Sequence, residues 1–356
     1  MSLEINKVHL MSNIDGMAQM DAESVDLVVT SPPYDNLRTY NDSSTWNFET
    51  FKQVADGLIR VLKPGGVIAW NVADAVISDY HGKKTGASKS GTSFRQCLYF
   101  QDNGLNFHDE LVYHKHAPRF ASGVNSLRYS DVTEYVFILS KGRPNTINLL
   151  RDKPNKGAGK VFKRDGGRNV DGSRNRAGDD AKTGVIHEYG VRENIWYYVT
   201  SFGAGQTDKR AYEHPALMPL TLASDLVKSY SKEGDLVLDP FMGSGTTARE
   251  AFSLDRNYIG FEIDPTFHQL CETITKDAIE ESKSIISHGK LKLDPSQLEC
   301  EWGGKPLPDK LTTTEFLIVK ELAKRPGVIK ERAHLMDIAY KENTEIEDRT
   351  IDSHGK

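Results

Sequence analysis

The stretch Leu236-Val-Leu-Asp239-Pro-Phe-Met-Gly-Ser-Gly-Thr-Thr247 decides the fold, and it runs directly into Ala248-Arg-Glu-Ala-Phe252. Its apolar start predicts a buried strand, its two glycines predict a tight turn, and its end predicts a helix. A second apolar run, Ile259-Gly-Phe-Glu262, ends in an acid roughly 20 residues further on, the spacing of a ribose-binding carboxylate in nucleotide folds. Glycines let the backbone approach a ligand, and amides at a helix start donate hydrogen bonds to it. The sequence therefore predicts a site for a nucleotide-like cofactor at a strand end.

The glycine spacing also restricts the kind of cofactor. The full Gly-x-Gly-x-x-Gly pattern of dinucleotide-binding folds is missing, which argues against NAD. The alternative to a cofactor site is a tight strand-to-helix turn that binds nothing. We expect the cofactor to contact the loop and the strand-end acid, namely Asp239, Phe241, Gly243, Ser244, Gly245, Thr246 and Glu262.

A second strand-end loop, Thr30-Ser-Pro-Pro-Tyr34, has the residue types needed to methylate an amino group. The exocyclic amino nitrogen of cytosine or adenine is a poor nucleophile because its lone pair is delocalised into the ring. Acceptors on its hydrogens let the nitrogen become pyramidal, and the Ser31 hydroxyl and the Pro32 carbonyl are such acceptors. Pro32 and Pro33 fix the backbone, and Tyr34 offers a flat face for a base flipped out of the duplex. The alternative is a rigid Pro-Pro turn without catalytic function.

Apolar runs alternate with helical segments between the two loops. A helix is predicted to stop at Lys63-Pro-Gly-Gly66, and strands are predicted at 67–72, 110–113 and 134–139. This alternation is typical of an α/β fold with a doubly wound sheet that is rich in parallel strands.

The composition changes at about Arg143, between the two loops. From Arg151 to Lys182 the chain has ten basic and five acidic residues, many Gly and Asn, and almost no apolar side chains. On composition alone, this stretch is either a solvent-exposed insertion or a loop whose Lys and Arg side chains neutralise DNA phosphates.

Composition and charge exclude several classes of protein. Only 38% of the residues are hydrophobic, and no apolar run approaches the ~20 residues of a membrane span, so we expect no membrane partner. The start, Met1-Ser-Leu-Glu-Ile-Asn-Lys7, lacks the apolar stretch of a signal peptide. Cys97, Cys271 and Cys300 have no metal-ligand spacing, so we expect reduced thiols, no metal and a cytoplasmic protein. Because the net charge is -5, DNA contacts must come from local basic patches.

Together these segments resemble the amino-methyltransferases of DNA in their β-type motif order, in which the catalytic motif precedes the cofactor motif. Thr30–Tyr34 matches the catalytic motif, and Asp239–Thr247 matches the S-adenosylmethionine motif. The other matching segments are Arg60-Val-Leu-Lys-Pro-Gly-Gly66, His114-Lys-His-Ala-Pro118, Glu134-Tyr135, His214-Pro-Ala-Leu-Met-Pro-Leu220 and Ile259-Gly-Phe-Glu262. The resemblance covers about residues 1–285. It implies a Rossmann-like methyltransferase sheet, S-adenosyl-L-methionine as cofactor, with His214 among its contacts, and double-stranded DNA as substrate.

The resemblance leaves the methylated base open. Within the family, serine at the first motif position, here Ser31, goes more often with cytosine N4, and aspartate goes more often with adenine N6. We therefore expect site-specific transfer to cytosine N4, with adenine N6 as the alternative and an RNA or protein amide as a more distant one. A DNA-binding regulator that lost the chemistry is a further alternative. Carbon-5 methylation is disfavoured because no Pro-Cys nucleophile is present.

The C-terminal segment resembles the winged-helix effector domain of OmpR-type response regulators. The matching stretches are Leu311-Thr-Thr-Thr-Glu-Phe-Leu-Ile318, Lys324-Arg-Pro-Gly-Val328, Arg332-Ala-His-Leu-Met-Asp337 and Asp348-Arg-Thr-Ile-Asp-Ser-His354. The last of these would open the recognition helix, yet the sequence ends at Lys356. The segment is therefore a partial winged-helix domain, either a truncated or vestigial appendage or an extra DNA anchor.

These resemblances predict a domain plan and partners. We expect a methyltransferase domain at 1–287 and the partial winged helix at 291–356. The family's target-recognition region lies between the two motifs, which assigns the basic insertion, about 143–195, to DNA reading. A homodimer and, if the protein works in a restriction–modification system, a cognate restriction endonuclease are candidate partners.

Overall fold

The structure is a computed structural model, and it describes residues 3–33, 46–80, 83–115, 129, 131–163, 173, 183–198, 209–214, 216–295, 299–307, 311 and 313–324. The helices are α1 (Asn13–Gln19), α2 (Phe48–Val61), α3 (Thr92–Asp102), α4 (Leu220–Tyr230), α5 (Thr246–Ser253), α6 (Pro265–Lys283), α7 (Thr313–Lys324) and a 3-10 turn at Lys209–Glu213. The strands are β1 (Lys7–Leu10), β2 (Val25–Thr30), β3 (Leu62–Val72), β4 (Val76–Tyr80), β5 (Lys83–Lys89), β6 (Asn106–Lys115), β7 (Thr133–Ser140), β8 (Lys153–Pro154), β9 (Val161–Lys163), β10 (Thr183–Val185), β11 (Tyr189–Gly190), β12 (Ile195–Tyr198), β13 (Leu236–Asp239), β14 (Asn257–Glu262), β15 (Ile286–His288), β16 (Leu291–Asp294), β17 (Glu299–Trp302) and β18 (Lys305–Pro306). None of the described helices is long and apolar enough to cross a membrane.

The central sheet has eight strands in the order β1-β14-β13-β2-β3-β7-β6-β12. Neighbouring strands run parallel except where β7 pairs with β3 and β6. This confirms the predicted α/β fold with a parallel-rich, doubly wound sheet. Strand β13 pairs with β2, with Val237 opposite Leu27. Strands β13 and β2, which lead into the two predicted loops, therefore end at the same edge of the sheet, although 209 positions separate Thr30 from Asp239.

The middle of the sheet is buried, which explains its mostly apolar sequence. The fully buried residues of β2 are Val25, Leu27, Val28, Val29 and Thr30, as expected for a parallel strand that is covered on both faces. Helix α2 packs into the same core through residues that recur every three or four positions, namely Phe51, Val54, Ala55, Leu58 and Val61. Its start is capped by the Asn47 side chain, which accepts hydrogen bonds from the Glu49 and Thr50 amides. Sequence and packing agree in this layer.

The predicted helix end is confirmed, since α2 ends at Val61, but the predicted strand start at residue 67 was wrong. Strand β3 begins at Leu62, directly after α2. Leu62 pairs with Val25, and the register then shifts before the next pair in β2. Gly65 adopts φ +78° and donates its amide hydrogen to the Lys141 carbonyl, so the Pro-Gly-Gly segment continues as an irregular strand. The backbone of Lys141, far along the chain, holds this irregular segment through hydrogen bonds with Gly65 and Gly66.

Residues Leu149–Asn194 form a separate compact unit. Inside it, β8 pairs with β11 and β9 pairs with β10, both antiparallel. Two ion pairs, Lys153 with Glu193 and Arg192 with Asp152, join its two ends. The unit falls within the predicted insertion at about 143–195, and the role of that insertion stays a prediction.

The chain after α6 forms a four-stranded antiparallel sheet, β15-β16-β17-β18, followed by α7. Leu293 of this sheet packs with Phe316 and Ala323 of the helix in a small separate core. Helix α7 begins at Thr313, within the Leu311–Ile318 stretch that resembles the winged-helix domain. Residues 325–356, including the stretch expected to open the recognition helix, lie outside the described residues. The winged-helix resemblance and the domain boundaries therefore stay predictions.

Candidate active site at the carboxyl edge of the sheet

A cavity of about 650 Å³ lies where β2, β3, β13 and β14 end. Parallel α/β sheets bind their ligands at this edge, and the volume lies within the range of about 300–1,000 Å³ that is usual for ligand pockets. Both predicted loops contribute to its wall. The predicted site residues that line it are Ser31, Pro32, Pro33, His214, Asp239, Phe241, Gly243, Ser244, Thr246 and Glu262. Tyr34 lies outside the described residues.

The turn after β13 needs its two glycines for different reasons. Gly243 has φ +53°, and a Cβ atom there would lie 3.0 Å from His214 Nε2 at the cavity wall. Gly245 has φ +86°, and its Cβ atom would lie 2.7 Å from Cys271 Sγ of α6. Gly245 is not among the cavity-lining residues. Gly243 therefore keeps the cavity open, whereas Gly245 allows the turn to pack on α6.

Glu262, at the end of β14, is held by the loop that it faces. Its Oε2 accepts the Gly243 amide and its Oε1 accepts the Asp264 amide, each at 2.9 Å. Burial raises the pKa of Glu262, and these backbone donors oppose that shift. Each carboxylate oxygen can accept a further hydrogen bond. The carboxylate is thus fixed in place with capacity left for hydroxyl donors.

Asp239 connects the two loops. Its Oδ1 accepts the Thr30 hydroxyl at 2.6 Å and the Phe241 amide at 3.0 Å. Complete burial raises the pKa of this carboxyl from 3.8 to about 6, and the hydrogen bond from Thr30 opposes the shift. A second link runs from the Thr247 hydroxyl to the Val29 carbonyl at 3.2 Å. Hydrogen bonds therefore join the last residues of β2 to the turn that follows β13. The sequence did not suggest this role for Thr30.

His214 closes another side of the cavity. Its Nδ1 lies 2.8 Å from the Ala216 carbonyl oxygen, and its ring stands edge-on to Phe267 with centroids 4.5 Å apart. Leu217 and Met218 follow it along the wall. His214 therefore lies beside Gly243 of the turn after β13.

Four further polar or aromatic residues line the opposite end of the cavity, and sequence reasoning did not select them as site residues: Asn71, Tyr113, Lys115 and Glu134. Asn71 Nδ2 lies 2.9 Å from Glu134 Oε2 and 3.4 Å from Ser31 Oγ. Lys115 Nζ donates to Glu134 Oε1 at 2.8 Å. The available signal was that polar residues stand at the ends of three apolar strands, and that two of the matched family segments contain Lys115 and Glu134.

The wall also includes elements that the sequence did not predict. Asn13, at the start of α1, donates from Nδ2 to the Pro240 carbonyl at 3.1 Å. Trp46 stands edge-on to Phe241, with ring centroids 5.2 Å apart. Both residues line the cavity. Both residues therefore contact the turn that follows β13.

A parallel-rich sheet with a glycine turn, a strand-end acid and a Ser-Pro-Pro loop around one cavity defines a Rossmann-like methyltransferase. The N6_N4_Mtase family model, described as DNA methylase, matches residues 25–273. The orphan methyltransferase M.BamHII of Bacillus amyloliquefaciens is 44% identical over 267 residues, covering 75% of this chain and 94% of that protein. The chain belongs to this family of N6/N4 DNA methyltransferases.

More distant relatives and solved structures agree with this family. The type II methyltransferase M.MthZI of Methanothermobacter thermautotrophicus is 25% identical over 312 residues, covering 79% of each chain. The cytosine-N4-specific PvuII DNA methyltransferase has the same fold, with a TM-score of 0.52 and 18% identity over 79% of this chain and 93% of that one. A DNA modification methylase from Thermus thermophilus, complexed with S-adenosyl-L-methionine, gives a TM-score of 0.50 and 22% identity over 77% and 94%.

The family depends on S-adenosyl-L-methionine, and the residues at the cofactor end fit such a molecule. Gly243 lines the cavity without a side chain, so its backbone is open to a ligand there. Glu262 presents a fixed carboxylate to the same space, as ribose hydroxyls require. Phe241 and Met242 supply apolar surface. The set contains the residue types that a nucleoside with a charged tail needs.

Proposed function

We propose that this protein transfers the methyl group of S-adenosyl-L-methionine to the exocyclic amino group of a base flipped out of duplex DNA, with cytosine N4 as the favoured acceptor. One observation carries the proposal. Ser31 and Pro32 line the same cavity as Gly243 and Glu262. A methyl donor and an amino acceptor can meet only if the two loops share one space.

At the cofactor end, this proposal gives each residue a physical task. Glu262 accepts the ribose hydroxyls, and the backbone from Gly243 to Thr246 borders the nucleoside. Asp239 and Phe241 shape the turn, and His214 closes the cavity over it. The bound cofactor supplies an electrophilic methyl group on a sulfonium. Because these residues surround the donor and not the acceptor, their loss should weaken cofactor binding first.

At the base end, Ser31 Oγ and the Pro32 carbonyl accept hydrogen bonds from the target amino group. These bonds favour a pyramidal nitrogen, whose lone pair then points at the methyl carbon. The nitrogen lone pair would form the new bond to the methyl carbon as the sulfur–carbon bond breaks. The sulfur would leave with the bonding electrons as a neutral thioether, and one amino proton would pass to solvent. Pro33 keeps the carbonyl of Pro32 aimed into the cavity. Tyr34 is predicted to stack on the flipped base.

The choice of base rests on Ser31, because serine at this motif position goes more often with cytosine N4. Adenine N6 is the alternative, since both amino groups pose the same chemical problem. The PvuII relative is named as cytosine-N4-specific, and its low identity supports the fold alone. The basic segment Arg151–Lys182 is proposed to neutralise phosphates near the recognition sequence. A homodimer and a cognate endonuclease stay predictions.

The test is transfer of a tritium-labelled methyl group from the cofactor to duplex DNA, RNA or protein, each incubated with the full-length chain. We expect label in duplex DNA alone, and N4-methylcytosine after digestion to nucleosides. Label found only in N6-methyladenine would move the acceptor to adenine. Label in RNA or protein, or no transfer by a protein that binds both cofactor and DNA, would contradict the proposal.

A further inference from the structure

We propose that Tyr113 and Lys115 determine base specificity by donating hydrogen bonds to the ring edge beside the target amino group, an inference that rests on the proposed function. Tyr113 donates to the ring nitrogen next to the amino-bearing carbon, which is N3 of cytosine. Lys115 donates to O2 of the same base.

The sheet register places these side chains in a row with Ser31. Tyr113 on β6 lies opposite Glu134 on β7, and Asn71 on β3 lies opposite Val136 of the same β7 strand. Ser31 follows β2, which is the next strand in the sheet. The hydrogen bonds from Lys115 to Glu134 and from Asn71 to both Glu134 and Ser31 follow this order. The base end of the cavity is thus bordered by one continuous line of polar groups.

The Tyr113 hydroxyl is a donor that a ligand in the cavity can reach. The side chain is 2% exposed and lines the cavity, and its hydroxyl is buried without a hydrogen-bond partner among the residues that the structure describes. A buried hydroxyl without a partner is costly, so an acceptor that enters the cavity gains a ready donor. Burial and the nearby Glu134 carboxylate raise the pKa of Tyr113 well above its usual range. The phenol therefore keeps its proton at neutral pH and can donate it to an acceptor on the base.

Lys115 adds a second donor two residues further along the same strand. Its ammonium carries three N–H donors, of which Glu134 Oε1 receives one. The side chain lines the cavity and is 29% exposed. The pairing with Glu134 fixes the direction of the ammonium, so the remaining donors have a defined position relative to Tyr113.

This sequence of groups complements cytosine better than adenine. Along its pairing edge, cytosine presents an amino donor, the N3 acceptor and the O2 acceptor. The cavity presents the Ser31 acceptor and then the donors of Tyr113 and Lys115. Adenine presents its amino donor and N1, followed by a C–H group that accepts nothing, so it leaves one donor unsatisfied. Sites with hydrogen-bond groups reject ligands that leave those groups unpaired.

The hydrogen bond to the ring nitrogen should support binding and not the chemical step. The amino lone pair adds electron density to the ring nitrogen, and that density falls as the lone pair turns toward the methyl group. The bond is therefore not strengthened in the transition state, so its loss raises KM and does not lower kcat. A merely structural role for Tyr113 would lower kcat and cofactor affinity as well.

The test combines a Tyr113→Phe variant of the full-length chain with a changed base. Duplexes containing the mapped recognition site would have either cytosine or 3-deazacytosine, in which N3 is a C–H group, at the target position. We expect Tyr113→Phe to raise KM for the cytosine duplex about tenfold, with kcat and cofactor affinity unchanged. The wild type should lose about the same factor on 3-deazacytosine, and the variant should show no further loss, because both changes remove one hydrogen bond.

Tyr99→Phe is the matched control. It removes a phenol hydroxyl that donates to Asp56 on α2, and Tyr99 is not among the residues that line the cavity. We expect the KM of this variant on each duplex to equal the wild-type KM on the same duplex. The inference alone would be overturned if the KM effects of Tyr113→Phe and of 3-deazacytosine multiplied when combined. It would also be overturned if Tyr113→Phe lowered kcat and cofactor affinity as much as it raised KM. Wild-type transfer to adenine would overturn the assignment of Lys115 to O2, and the absence of any transfer to DNA would overturn the proposed function together with this inference.

Discussion

The two ends of the cavity are built in different ways. At the cofactor end, the central hydrogen bond joins two groups that are 19 positions apart, since the Gly243 amide donates to Glu262. At the base end, Ser31, Glu134 and Lys115 come from different strands, and their side chains are linked by hydrogen bonds, in part through Asn71. The central pair of the first end is therefore encoded in one stretch of sequence, whereas the second end exists only after the sheet has formed.

This difference predicts that the two functions can be separated by mutation. Changes near Gly243 should weaken cofactor binding, and through it methyl transfer. Changes near Ser31 should reduce transfer while the cofactor still binds. The Thr30–Asp239 hydrogen bond joins the two ends, so it is the place where the separation should be least complete.

The largest effect is expected at the cofactor end, from Gly243→Ala. The new Cβ atom would lie 3.0 Å from His214 Nε2, at a residue with φ +53°. A displacement of the turn by a fraction of an ångström should weaken cofactor binding about a hundredfold, because small misplacements at such sites have large effects. Isothermal titration with S-adenosyl-L-methionine measures this.

Gly234→Ala provides the matched control for the backbone. Gly234 also has a positive φ, +80°, yet a Cβ atom there meets nothing within 4 Å. It should destabilise the fold to a similar extent and leave cofactor affinity unchanged. Equal losses of affinity in both variants would mean that backbone strain, and not the cavity wall, limits binding.

The next largest effect is expected at the base end, from Ser31→Ala. The loss of one acceptor on the amino group should reduce the single-turnover rate of methyl transfer by about thirtyfold, somewhat less than the loss of an oxyanion-hole donor. Cofactor affinity should not change. Ser24→Ala, at the opposite end of the same strand region, removes a hydroxyl that donates to Asp21 and should leave the rate at its wild-type value. A Ser31→Ala variant with weakened cofactor binding would contradict the separation of the two ends.

A smaller effect is expected from Glu134→Gln, which acts through its neighbours. The neutral amide no longer holds Lys115 by charge and no longer fixes which side of the Asn71 amide faces it. We expect methyl transfer to fall about tenfold, as for the loss of hydrogen bonds to a charged group, with unchanged cofactor affinity. Glu301→Gln removes another cross-strand pair with a lysine, Lys292, and should have no effect on the rate. Similar methyl-transfer rates for the two variants would contradict a role of Glu134 in positioning Lys115 and Asn71.

The smallest effect is expected from Thr30→Val, and it should depend on pH. Burial raises the pKa of Asp239 from 3.8 to about 6, so between these values the folded state holds a proton that the unfolded state has lost, and this carboxyl's contribution to stability falls as pH rises through that range. The Thr30 hydroxyl favours the ionised form, and without it the pKa should rise further. We expect a loss of about 1 kcal/mol in the free energy of unfolding at pH 8 and a smaller loss at pH 5. Urea unfolding at both values measures this, and an equal loss at both would contradict the coupling.

The contrast between the two ends also explains what the sequence could predict. Gly243 and Glu262 were predictable because one turn and the next strand contain the whole pattern. Ser31 and Pro32 were predictable because the reactive groups follow one another in the chain. Tyr113 was not, because its position depends on β6 pairing with β7 next to β3. The start of β3 was missed for the same reason, since its Pro-Gly-Gly segment is held by bonds to residues near Lys141.

The most direct test of the central claim is a crystal structure of the full-length chain with sinefungin, an unreactive analogue of the cofactor, and a duplex containing the target site. The account predicts a flipped base whose amino nitrogen lies ~3 Å from Ser31 Oγ and from the Pro32 carbonyl oxygen. The analogue should lie against Gly243 and Glu262, with its amine facing that nitrogen. A base that stays in the duplex, or an analogue bound in a cavity that Ser31 does not line, would contradict it.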